Sequence, residues 1–87
     1  MEYEWDPAKA ASNLVKHGVD FPAAVEALED PRLLVIVDTH YGEPRGRAIG
    51  RVNGVVLSIA FTMRGEVCRI ISARRASRRE REQYRPL

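Results

Sequence analysis

The sequence predicts an α+β domain with the element order β-α-α-β-β-β-β-α, and three features carry that prediction. Asp6-Pro7 opens and Gly18 closes an N-terminal stretch, the start and stop chemistry of an α-helix. From residue 33 onward, apolar and β-branched residues recur with the two-residue period of strands. Asn53-Gly54 separates two such runs, and that dipeptide is the strongest short-range hairpin signal. A length of 87 residues suggests a single domain, residues 1–87. A chain of this size buries only about 60% of its unfolded surface, so its core is thin.

The elements follow in order. Glu2 to Trp5 alternates polar and aromatic residues and reads as a short edge strand. Asp6 is the N-cap of a helix that starts at Pro7 and runs to about His17. Within it, Ala8, Ala11 and Val15 form an expected buried stripe, with Lys9, Asn13, Lys16 and His17 on a different face. After the hinge Gly18-Val19-Asp20, Pro22 to Leu28 forms a second short helix. A central four-stranded antiparallel sheet is then expected from about 33–37, 45–52, 55–62 and 66–73. Asp38 to Pro44 reads as a polar loop, and Arg64-Gly65 as the last turn. Arg45, Arg47, Ile49 and Arg51 alternate onto one side of their strand. Ser77-Arg78-Arg79-Glu80 has the capping-box pattern that opens a final helix, ended by Pro86.

Charge is divided along the chain. Residues 1–43 hold three basic and nine acidic side chains, a balance of −6. Residues 44–87 hold eleven arginines against Glu66, Glu80 and Glu82, a balance of +8. Such asymmetry points to nucleic acid or an acidic partner. Guanidinium forks grip phosphate and carboxylate through two bonds and stack on bases, which an ammonium does not do. The competing explanation is an arginine-rich solvated surface.

Other classes of function find little support. Cys68 is the only cysteine, so no internal disulfide and no cysteine zinc site is expected. It reads as a small buried strand residue. His17 and His40 fall in different elements without ligand spacing, so no metal or other cofactor is expected. Gly46 and Gly50 match no phosphate-cradling loop, and no serine sits in a nucleophile elbow. Glu2, Glu4 and Asp6 oppose a signal peptide, and the apolar runs are too short to span a bilayer. The cytoplasm is the expected compartment, with no membrane partner.

A cluster near the C-terminus remains: Arg64, Arg69, Arg74, Arg75, Glu80 and Tyr84. Glu80 and Tyr84 share a helix face, and Arg74-Arg75 immediately precede that helix. Arginine, carboxylate and tyrosine together suit metal-free RNA cleavage. There the ribose 2′-hydroxyl attacks phosphorus, so a base, an acid and a cationic clamp are needed. Each residue also has a plainer role available. Glu80 completes the capping box, Tyr84 can pad the last helix, and His17 can complement its own helix terminus.

Trp5-Asp6-Pro7, Lys9, Asn13, Lys16-His17-Gly18-Val19 and Phe21 resemble the opening of the BrnT toxin family. Ala48-Ile49-Gly50, Phe61-Thr62-x-Arg64, the segment from Arg69 to Ala76, and Glu80 with Tyr84 resemble it further. Gly46 departs from the family pattern, which usually carries an aromatic there. The resemblance implies a RelE/ParE-like fold and an endoribonuclease toxin of a bacterial type II toxin–antitoxin system that inhibits translation. It also implies a BrnA-like ribbon-helix-helix antitoxin, with operator DNA engaged only through the complex.

The leading expectation is therefore a metal-independent endoribonuclease. Arg74 and Arg75 would clamp the scissile phosphate, with Arg64, Arg69, Arg51 and Lys9 on the RNA backbone. Glu80 is the candidate base, His17 or Lys16 the candidate acid, and Tyr84 a stacking or proton-sharing group. The alternative is a non-catalytic RelE/ParE-like module that inhibits a protein target such as gyrase.

Overall fold

The computed structural model describes residues 1–40 and 43–85. Its elements are β1 (Glu2–Glu4), α1 (Pro7–His17), α2 (Phe21–Leu28), β2 (Leu34–His40), β3 (Glu43–Val52), β4 (Val55–Arg64), β5 (Val67–Arg75) and α3 (Arg78–Tyr84). The α+β class and the element order agree with the sequence. The sheet differs from expectation, because it has five strands in the order β1-β5-β4-β3-β2 and is mixed. β1 joins it by pairing parallel to β5, from Glu2 opposite Val67 to Glu4 opposite Arg69. Three residues at the N-terminus gave a strand signal but no indication of its neighbour.

The expected loop at Asp38–Pro44 is also corrected. β2 continues to His40 and β3 begins at Glu43, with the strands paired along that length; Tyr41 and Gly42 lie outside the described residues, as does the expected helix stop at Pro86. Polar residues here occupy an extended ladder, since pairing satisfies the backbone whatever the side chains are. The β3–β4 turn is as expected, with Asn53 and Gly54 at φ 48° and 78°, the left-handed conformation of a tight hairpin. Gly65, at φ 61°, turns β4 into β5.

The helical pair covers one face of the sheet. Phe21, Ala24 and Ala27 of α2 and Val19 before it meet Leu57, Ile59, Ile70 and Ala73 in a buried core. Trp5 sets its ring edge-to-face on Phe21 at 5.8 Å, a favourable aromatic geometry. Gly50 permits this packing, since a Cβ there would lie 2.2 Å from the Ala27 carbonyl oxygen.

The expected stripe on α1 is overturned. Ala8, Ala11 and Val15 are exposed, Val15 at 90%, whereas Asn13 is buried at 6%. β1 pairs with β5 only as far as Arg69, which leaves the edge of β5 beyond it without a strand. Asn13 occupies that edge: its amide nitrogen donates to the Ala73 and Val19 carbonyls, and its carbonyl accepts from the Ala73 N–H. Satisfying buried backbone groups outweighed burying small apolar side chains. Among the described residues no helix is long and apolar enough to cross a membrane.

Candidate active site

The opposite face of the sheet carries the arginines. Pairing places Arg45 opposite Thr62, Arg47 opposite Ala60 and Ile49 opposite Ser58. On the other side of β4, Thr62 faces Arg69, Ala60 faces Ser72 and Ser58 faces Arg74. Strict alternation from Arg69 would put Arg75, not Arg74, on this face. A β-bulge resets the parity: Ala60 pairs with Ser72 and Phe61 with Ile70, so Ile71 is the extra residue.

Beyond β5, Ser77 caps α3. Its Oγ accepts from the Glu80 N–H at 3.1 Å, and Glu80 Oε1 accepts from the Ser77 N–H at 2.8 Å. The same carboxylate reaches the sheet. Arg74 donates through Nη1 to Oε1 at 2.7 Å and through Nη2 to Oε2 at 3.1 Å. Ser58 Oγ donates to Oε2 at 3.0 Å while accepting from Arg47 Nη1 at 2.7 Å. Glu80 thus serves the cap and the cluster together. Burial works against its charged form, but Arg74, the Ser77 N–H and the Ser58 hydroxyl outweigh that and hold the carboxyl at about 2.

Next to this network lies a cleft of about 500 Å³ whose lining includes Lys9, Arg45, Arg64 and Arg69, with Ala60, Thr62 and Ile71. Arg69 approaches Glu4 at 3.7 Å. A smaller cleft of about 170 Å³ shares Lys9 and Ile71 and brings Lys16 and His17 alongside Ser72. The face of α1 read as turned away from the core therefore overlooks the edge of the arginine face, held there by Asn13.

Several candidates stand apart. Tyr84 shares a helix with Glu80, but its hydroxyl donates to Asp30. Burial, with Asp30 as hydrogen-bond partner, pushes the phenol pKa up. Arg51 is exposed, and its N–H donates to the same Asp30. Arg75 points to the helical side and lines a cleft with Gly18, Asp20 and Asn53. Arg45, Arg47 and Ser58 were not singled out from the sequence as site residues. Their signal was present in the alternation of β3 and in Ser58 and Thr62, polar residues four apart in a strand otherwise apolar from Val55 to Met63. Cys68 is buried and free, and burial raises its thiol pKa. Among the described residues no three His, Cys, Asp or Glu side chains are grouped as a metal ion would require.

The family described as "Ribonuclease toxin, BrnT, of type II toxin-antitoxin system" covers residues 5–80. Among curated proteins, none matches the chain.

Proposed function

The chain belongs to the BrnT family of ribonuclease toxins of type II toxin–antitoxin systems, and from that premise we propose a metal-independent endoribonuclease whose reaction centre is the arginine face. The observation that carries this reading is the part-buried chain Arg47–Ser58–Glu80–Arg74 beside a cleft rich in cations. A surface that only held phosphate would gain no affinity from a carboxylate at its centre.

In this proposal Arg74 clamps the scissile phosphate and stabilises the charge that develops as the 2′-hydroxyl attacks. Glu80 takes the 2′ proton. Its low pKa in the free protein makes it a weak base, but a phosphate that draws the Arg74 guanidinium away also removes Glu80's main cation and raises its proton affinity. His17 or Lys16, across the edge of β5, supplies a proton to the departing 5′-oxygen. Arg47 steadies Ser58 and adds positive charge. The products are a 2′,3′-cyclic phosphate and a 5′-hydroxyl.

Family membership implies an antitoxin partner. The proposal extends to a BrnA-like ribbon-helix-helix antitoxin, to inhibition of translation and to a RelE/ParE-like fold. The deciding experiment is incubation of purified protein with RNA in EDTA. Cleavage with cyclic-phosphate ends supports the reading, and intact RNA under conditions where the protein is folded overturns it.

A further inference from the structure

Two clusters of positive charge lie along one face of β4. The first is Arg47 and Arg74, converging on Ser58 and Glu80. The second is Lys9, Arg45, Arg64 and Arg69 around Thr62. Arg45 and Arg69 flank Thr62 from the neighbouring strands, while Lys9 reaches in from α1 and Arg64 from the end of β4. Among the described residues, Lys9 and Arg64 pair with no carboxylate, and Arg69 is drawn toward Glu4. Ala60, Thr62 and Ile71 give this cleft an uncharged floor. Its volume, about 500 Å³, lies in the range of ligand-binding pockets.

Spacing links the clusters. Ser58 and Thr62 share a face four residues apart, a separation of roughly 13 Å along a strand. A stacked nucleic-acid strand advances about 3.4 Å per nucleotide, and an unstacked one advances further. The interval is therefore bridged by no more than about four nucleotides, and not by one.

We propose that the Lys9–Arg45–Arg64–Arg69 cleft is a subsite for a backbone phosphate about two to four nucleotides from the scissile one, so that the enzyme requires a run of single-stranded RNA along β4 and turns over dinucleotides poorly. This rests on the proposed cleavage at Arg74. Binding energy from a remote phosphate raises turnover only where it helps position the reacting group, so the signature is the dependence of rate on chain length.

The test measures kcat/KM for RNA oligonucleotides of two to eight residues in EDTA, and affinity for all-2′-O-methyl oligonucleotides of the same lengths. Both should rise steeply up to about four or five nucleotides and then level. In Lys9→Ala/Arg64→Ala the gain with length should fall by about tenfold or more. The salt dependence of affinity should weaken by about 0.7 in logarithmic slope for each phosphate the variant no longer neutralises. Arg78→Ala/Arg79→Ala removes two exposed charges elsewhere and should keep the length dependence. The proposal is overturned if dinucleotides match octanucleotides, if the cleft variant keeps the full gain, or if the control loses as much. If no RNA is cleaved at all, the reaction assignment fails, while the affinity series still decides the subsite.

Discussion

Asn13 stands in for a strand beside Ala73. Its amide nitrogen donates to the Ala73 carbonyl at 2.8 Å and its carbonyl accepts from the Ala73 N–H at 3.0 Å, the pairing that a neighbouring backbone would supply. The same nitrogen holds the Val19 carbonyl at 2.9 Å. One side chain thus closes the free edge of β5, fixes α1 and ties down the chain between the helices.

Asn13→Ala should accordingly destabilise the protein by roughly 3 kcal/mol, since the Ala73 N–H and carbonyl would be left buried without partners. Asn13→Asp should be nearly as costly, because a carboxylate cannot donate to two carbonyls. Denaturant unfolding measures both. A loss below about half a kilocalorie per mole would show that water or a shift of α1 replaces the bonds.

The depressed pKa of Glu80 makes a pH prediction with a definite sign. Its folded value, about 2, lies below the ordinary 4.5. Its contribution to stability is therefore complete above about pH 4.5 and is lost as pH falls toward 2. That shift corresponds to on the order of 3 kcal/mol at neutral pH. Glu80→Gln should be clearly less stable than wild type at pH 7, and the difference should shrink across pH 4.5 to 2. A difference that stays constant with pH would remove the ion pair as its source.

Arg74→Ala should slow RNA cleavage by roughly 10²–10³-fold, the usual effect of deleting one preorganised donor to a developing anion. Arg74→Lys should recover only part of that loss, because a point charge cannot reproduce a two-bond fork. Single-turnover cleavage of a fixed RNA, with circular dichroism to verify folding, decides the matter. Near wild-type rates in Arg74→Ala would place the phosphate clamp elsewhere.

Tyr84→Phe separates two roles for the tyrosine. Losing the hydrogen bond to Asp30 should cost about 1–2 kcal/mol and loosen α3 from the turn after α2. Cleavage measured well below the melting temperature should then hold within a few-fold. A fall of about a hundredfold without loss of structure would instead assign the hydroxyl a part in proton transfer.

Local chemistry was legible from the sequence alone. Asp6-Pro7 and Gly18 bound α1, Asn53-Gly54 makes the hairpin, and Ser77 with Glu80 opens α3, because caps and turns are settled by residues within a few positions of one another. The charge division is likewise a matter of composition, read without any contact. The partner of β1, the buried face of α1 and the membership of the arginine face depended on contacts between distant residues. β1 found β5 across more than sixty positions through backbone bonds that carry no side-chain signature. Asn13 in mid-helix was a hint, since asparagine there is disfavoured unless its amide is engaged. The decisive case is Arg74. Two-residue counting along β5 puts it on the helical side, and the extra residue at Ile71 returns it to the face of Ser58 and Glu80. A bulge leaves alternation intact on either side of itself, so only the paired strand reveals which arginine reaches the site.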